Sequence, residues 1–209
     1  MLPADAHSYR AWLVDLDGTL YRPTLVKLAM AVELSLFGWG AIKTLRTFRS
    51  SHEQLREGQA EPALASAGSP FERQLEHAAG RLGLPREAVE LVVRQWMFER
   101  PLKWVAQSRR GDLLAALEKY RERGGKTALV SDYPASGKLQ ALGATQLFDI
   151  VVSSGEPGGP SKLKPHPEGY LLAAAALGVE PIHCLVVGDR DDADGAAARA
   201  AGMAVHIIR

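Results

Sequence analysis

Ala11-Trp12-Leu13-Val14-Asp15-Leu16-Asp17-Gly18-Thr19-Leu20 is the stretch on which the reading of the fold turns. An unbroken apolar run, Ala11 to Val14, ends in two aspartates and a glycine. Such a run, closed by a turn residue, suits a strand buried on both faces rather than one with a wet side. Strands of that kind belong to parallel sheets covered by helices, and such sheets gather their ligands at the carboxyl ends of the strands. Asp15 and Asp17 stand at that end, and Gly18 lets the backbone turn sharply beyond them.

The distal half of the chain repeats the pattern. Residues 112–123 form an amphipathic helix closed by Gly124-Gly125. Residues 126–131, 149–153, 183–187 and 204–208 read as strands, and 135–142, 168–177 and 194–201 as helices between them. Strands alternating with helices make βαβ units and a mostly parallel sheet. Residues 21–101 read differently, as helix after helix. Gly38 and Gly40 separate 24–37 from 41–57, and 59–68, with Pro62, reads as a connection. Ser69-Pro70-Phe71-Glu72 is a capping box with proline at the first helical position. Phe71, Leu75, Ala78, Ala79 and Leu82 follow at helical spacing up to Gly83-Leu84-Pro85, and a further helix runs to about Phe98. The fold class is therefore α/β: a doubly wound parallel sheet with an all-helical insertion after the first strand. The core comprises residues 1–20 and 102–209, and the insertion 21–101.

Composition narrows the function. The 209 residues are 46% hydrophobic and 23% charged, enough to build a core. Twenty-five basic against twenty-four acidic residues leave a net charge of +1, which argues against nucleic acid as the main partner. The single cysteine, Cys184, allows no intramolecular disulfide and no cysteine-based zinc site, and its place within a strand makes it a small buried apolar residue. Residues 1–10 lack a basic segment followed by an apolar one, so no secretory leader is expected. The most apolar stretch, 25–42, is interrupted by Lys27, Glu33 and the glycine pair, which suits no membrane span. A cytoplasmic protein is expected.

Four clusters fall at the carboxyl ends of these strands: Asp15-Leu16-Asp17-Gly18-Thr19; Ser131-Asp132; Lys164-Pro165-His166-Pro167; and Gly188-Asp189-Arg190-Asp191-Asp192-Ala193-Asp194. Two carboxylates two residues apart can serve as nucleophile and as acid/base. Ser131-Asp132 closes the second strand with a hydroxyl and free backbone N–H groups, and the prolines stiffen the approach of Lys164. The acidic fourth cluster suits a hard cation.

In their order and spacing these clusters resemble the haloacid dehalogenase superfamily of phosphohydrolases, whose pattern is Asp-x-Asp-Gly-Thr, then Ser/Thr, then Lys, then Gly-Asp with a further acid. The long helical insertion resembles that family's C1 cap. The resemblance implies a Mg²⁺-dependent phosphatase acting on a small phosphomonoester through an aspartyl-phosphate. It implies Asp15 as nucleophile, Asp17 as general acid and then base, and Lys164 as the cation neutralising Asp15 and the phosphate. Leu16, Thr19, Ser131, Asp132 and Lys164 would bind the phosphate. Asp15, Asp17 through its carbonyl, Asp189 and Asp194 would hold Mg²⁺ directly or through water. Haloacid dehalogenases proper lack the second aspartate, because a halide leaves without a proton, so Asp17 favours phosphoryl chemistry.

Other readings stand beside these. A phosphomutase on the same scaffold would pass the phosphoryl group to a sugar instead of water, and a binding protein would keep the pocket without turnover. Lys162 rivals Lys164 but is read as solvated, as are Asp191 and His166. Asp192 rivals Asp194. Arg100, Lys103, Arg109 and Arg110 are read as basic surface rather than substrate contacts. Phe37, Trp39, Phe48, Trp96, Phe98 and Trp104 are read as core rather than a substrate pocket. Residues 25–48, with Lys43, Arg46 and Arg49, could touch a membrane, but a buried helix pair is the preferred reading and membrane contact is not expected. The chain is expected to be a monomer or homodimer.

Overall fold

The computed structural model describes residues 2–57 and 68–208. The expected connection at 59–68 thus lies, Gly68 apart, outside the described residues. β1 (Ala11–Asp15), β2 (Lys126–Ser131), β3 (Ile150–Ser153), β4 (Cys184–Gly188) and β5 (Ala204–Ile207) form one parallel sheet in the order β3-β2-β1-β4-β5. The chain moves outward from β1 to β3, then crosses back to β4 on the other side. That reversal opens the crevice at the carboxyl ends of β1 and β4, where ligands of open α/β sheets bind.

β1 is buried along its whole length. Its side chains alternate between two apolar layers: Trp12 and Val14 join Leu117, Leu129 and Leu185 on one face, and Ala11 and Leu13 join Ala128, Tyr170 and Val186 on the other. Burial on both faces is what removed the polar alternation from the sequence. The expected α/β class with its helical insertion is the observed fold.

Between β1 and β2 run α1 (Pro23–Phe37), α2 (Trp39–Arg56), α3 (Pro70–Leu82), α4 (Arg86–Val93), a π turn (Arg94–Glu99), α5 (Leu102–Gln107) and α6 (Gly111–Glu122). Helices α1 to α4 and the π turn share their own apolar cluster of Met30, Leu45, Phe48, Phe71, Leu75, Val89, Val93 and Trp96. α3 starts at the capping box read from sequence: Ser69 Oγ accepts from Glu72 N, and Ser69 N donates to the Glu72 carboxylate at 2.7 Å. α7 (Ser136–Leu142) and α8 (Glu168–Leu177) follow β2 and β3. α9 (Ala196–Ala200) precedes β5.

Several expectations need correction. The helix expected from Asp194 begins instead as a π turn, Asp191–Gly195, because the Arg190 carbonyl accepts from Ala193, Asp194 and Gly195 N. α5 was not expected. Phe48 and Trp96 are core, but Phe37 and Trp39 are 73% and 74% exposed. The buried helix pair is only half buried: α2 turns Ala41, Leu45 and Phe48 inward, whereas Leu25, Leu28, Val32 and Leu36 of α1 face out. Among the described residues no helix is long and apolar enough to cross a membrane.

Candidate active site

The carboxyl end of β1 turns at once. Thr19 N and Leu20 N both donate to the Leu16 carbonyl, at 3.3 and 3.0 Å, and the turn passes through Gly18 at φ 91°. A Cβ on Gly18 would overlap the Asp189 carboxylate, so glycine brings β1's turn against the end of β4. Leu16 sends its side chain into the sheet core.

Asp15 is 6% exposed. One of its oxygens accepts from Thr19 Oγ1 at 2.9 Å, the other from Lys164 Nζ at 2.5 Å. Lys164 Nζ also donates to Asp194 Oδ1 at 2.8 Å. Asp194 is held by Tyr170 OH at 2.8 Å and by Arg190 N at 3.2 Å. Asp15, Asp189 and Asp194 offer oxygens that all lie within 4.8 Å of one another. Burial pushes the Asp15 carboxyl up; Lys164 opposes this and Asp194 adds to it. Burial, then Asp194, pushes Asp189 up as well. Carboxylates gathered this way demand positive charge. A donor set made only of carboxylate oxygens, without histidine or cysteine, fits a hard divalent cation.

Asp17 lies apart from this trio. Its Oδ1 accepts from Lys138 Nζ at 2.5 Å and from the Tyr21 hydroxyl. Burial raises its carboxyl, but Lys138 and Tyr21 outweigh burial and hold it below the usual carboxylate range. Lys138, from α7, is itself buried and lies 5.7 Å from the Phe98 ring centre of the inserted helices.

Ser131 ends β2, 2% exposed, with its Oγ accepting from Tyr133 N at 3.2 Å. Asp132 accepts from Lys164 N at 3.1 Å, so its carboxylate positions the lysine's loop. Lys162 is exposed, and His166 accepts from Glu168 N at 3.2 Å on the surface. Asp191 and Asp192 are exposed and paired with Arg199 and Arg190. Cys184 is buried. Arg100 and Lys103 pair with Glu33 of α1. Arg109 forms a bridge with Tyr21, and Arg110 Nη2 donates to the Gly18 carbonyl at 3.4 Å.

The sequence reading missed Lys138, Tyr21, Tyr170 and the contacts from the inserted helices. Among these contacts, Arg56 of α2 donates to the Lys164 carbonyl at 2.8 Å. His52 of α2 lies 3.9 Å from Asp132 and stacks on Tyr133. Phe71 N donates to Ser154 Oγ at 3.1 Å, and Arg73 to the Ser161 carbonyl at 2.5 Å.

The carboxyl edge of this parallel sheet thus carries a buried aspartate–lysine pair whose aspartate belongs to an acidic trio. The family model described as haloacid dehalogenase-like hydrolase matches residues 9–202, and the chain belongs to that family. A glyceraldehyde 3-phosphate phosphatase of Methanopyrus kandleri is 32% identical over 203 residues, 96% of this chain and 84% of the relative. A phosphoserine phosphatase of Thermus thermophilus is 31% identical over 150 residues, 68% of this chain and 55% of the relative. In fold, the chain is similar to an L-2-haloacid dehalogenase from Xanthobacter autotrophicus, with TM-score 0.62 and 22% identity over 96% of this chain and 77% of that one. The chain is thus a haloacid dehalogenase-like hydrolase whose curated relatives are phosphatases.

Proposed function

We propose that the chain is a Mg²⁺-dependent phosphatase that hydrolyses a small phosphomonoester through an aspartyl-phosphate on Asp15. The observation that carries this reading is the separation of two aspartates only two residues apart. Asp15 is bound to Lys164 within the acidic trio, and Asp17 is bound to Lys138 and Tyr21 outside it. Two carboxylates in different environments can take two roles.

Asp15 Oδ attacks phosphorus while Lys164 neutralises charge on the reacting oxygens. Thr19 fixes the other Asp15 oxygen and so aims the attack. Ser131 Oγ and the backbone of Leu16 and Asp132 receive the phosphoryl oxygens. Asp17 protonates the leaving oxygen, then takes a proton from the water that attacks the acyl phosphate. An arriving phosphate competes for Lys138 and adds negative charge beside Asp17, and both effects raise Asp17's hold on a proton. Asp15 and Asp189, with Asp194 and the Asp17 carbonyl, would hold Mg²⁺, which supplies charge neutralisation for an anionic nucleophile meeting an anionic substrate. The likeness to a dehalogenase is one of fold. A halide leaves without a proton, so a second carboxylate at Asp17, whose hold on a proton rises when phosphate arrives, favours phosphate esters.

We assign residues 1–20 and 102–209 to the core and 21–101 to a cap. The separate apolar cluster of the inserted helices supports that division. The cap selects the leaving group and excludes water. Relatives named for glyceraldehyde 3-phosphate and phosphoserine support a small phosphorylated metabolite as substrate. The test is phosphate release by the purified chain across a phosphomonoester panel, with and without Mg²⁺. Mg²⁺-dependent release that Asp15→Asn abolishes supports the reading. Release that survives Asp15→Asn, or none across the panel, contradicts it.

A further inference from the structure

α1 is apolar on two opposite faces. Val26, Met30 and Leu34 pack on the cap cluster. Leu25, Leu28, Val32 and Leu36, also at helical spacing, are 41%, 65%, 52% and 64% exposed. The row continues into Phe37 and Trp39 at the turn into α2, at 73% and 74% the most exposed large hydrophobic side chains among the described residues. Single exposed hydrophobics are ordinary, but a contiguous row ending in two aromatics marks an interaction surface. Packing holds the turn in place. Gly38 between the aromatics is buried against the Trp96 ring, where a Cβ would collide, so its two neighbours project outward from a fixed backbone.

The exposed charges carried by residues 22–50 of the α1–α2 hairpin itself all have one sign. From residue 22 to residue 50 the exposed ionisable side chains are Arg22, Lys27, Lys43, Arg46 and Arg49. Glu33 is the only acid there, and it is turned inward onto Lys103 at 2.9 Å, Arg100 at 3.3 Å and Trp104 Nε1 at 2.9 Å. The whole chain carries only +1, so this hairpin concentrates positive charge. A second copy of the hairpin docked on this one would add a second cluster of the same sign. An anionic bilayer offers what the face lacks: an apolar layer for the leucines, a headgroup zone suited to Trp and Phe, and negative charge.

We propose that α1 and the α1–α2 turn dock on an anionic lipid bilayer, with Phe37 and Trp39 at headgroup depth and the hairpin's cations facing the lipid phosphates. The chain lies on the surface and does not span it. The inference is independent of the hydrolytic reaction.

Co-sedimentation of the full chain with vesicles tests it. The chain is expected to sediment with vesicles of two parts phosphatidylcholine to one part phosphatidylserine, and not with phosphatidylcholine alone. Release is expected near 1 M salt, where charge interactions are screened beyond about 3 Å. Phe37→Ser with Trp39→Ser is expected to lower partitioning about tenfold or more. Lys43→Glu with Arg46→Glu is expected to lower it by roughly fivefold or more for each cation. These side chains are exposed, so an unchanged melting temperature shows that the variants fold. The proposal is overturned if the chain ignores the anionic vesicles, if the aromatic variant binds as well as the parent, or if the chain forms a dimer that the aromatic variant dissolves while vesicles leave it in solution. Failure with vesicles hands the face to a protein partner.

Discussion

Asp15 and Asp17 show how far two neighbouring side chains can diverge when the backbone turns between them. Asp15 faces Lys164 and two other carboxylates; Asp17 faces Lys138 and a phenol. Asp17→Asn is therefore expected to leave attack possible while removing the proton donor. For an alkyl phosphate, kcat/KM should fall by about 10²–10⁴. For nitrophenyl phosphate, whose leaving group departs without a proton, the fall should be much smaller. Equal losses on both substrates would contradict the acid role. Asp15 closes β1, and Thr19, Asp189 and Asp194 follow strand ends within a few residues, so chain order fixes much of their neighbourhood; Lys164 lies far along the loop between β3 and α8, and the resemblance and its place before Pro165 marked it. Lys138 could not. It lies on α7, and its contact with Asp17 depends on how that helix packs beside α5 and the end of β1. Nor could Tyr170, whose hydroxyl meets Asp194 through the packing of α8 on the sheet.

At the scale of elements, local chemistry was the most legible. The capping box at Ser69 stands as read, because it needs only residues three apart. Ser69→Ala should destabilise the chain by about 1 kcal/mol, within a range of about 0.5–2. Denaturant unfolding would show this as a lower midpoint at unchanged slope, and an unchanged midpoint would contradict the cap's contribution. Periodicity was read less well. It showed that α1 is apolar, but an apolar face looks the same in sequence whether a neighbour covers it or not, and the outer row of α1 proved to be exposed. α5 is six residues long, too short for a helical period to register beside Pro101. The π turn at Asp191–Gly195 has no sequence period of its own; it places Asp194 where both carboxylate oxygens are engaged.

At the scale of the whole molecule, the inserted helices meet the carboxyl edge of the sheet through His52, Arg56, Phe71 and Arg73. Opening over the site would break these contacts, and two of them reach the loops that hold Lys164 and Asp132. His52 also makes this interface sensitive to acid. Burial lowers its pKa below the ordinary 6.5, against the opposing pull of Asp132. The unfolded chain therefore takes up this proton more readily than the folded one. Stability is fully present above pH 6.5 and declines as the pH falls from 6.5 through the depressed folded value. His77, also lowered by burial, acts in the same direction. Melting temperatures between neutral and mildly acidic pH should fall less steeply in His52→Gln than in the parent, and parallel curves would contradict this.

The proposed reaction rests on Asp15 carrying the phosphoryl group. The most direct measurement is to mix the chain with acetyl phosphate and Mg²⁺, quench in acid, reduce with borohydride and read the modified residue by peptide mass. An acyl phosphate is reduced to the alcohol and free carboxylates are not. Reduction is expected at Asp15, dependent on the phosphate donor and absent in Asp15→Asn. Reduction at another carboxylate, or phosphate release with Asp15 untouched, would contradict it.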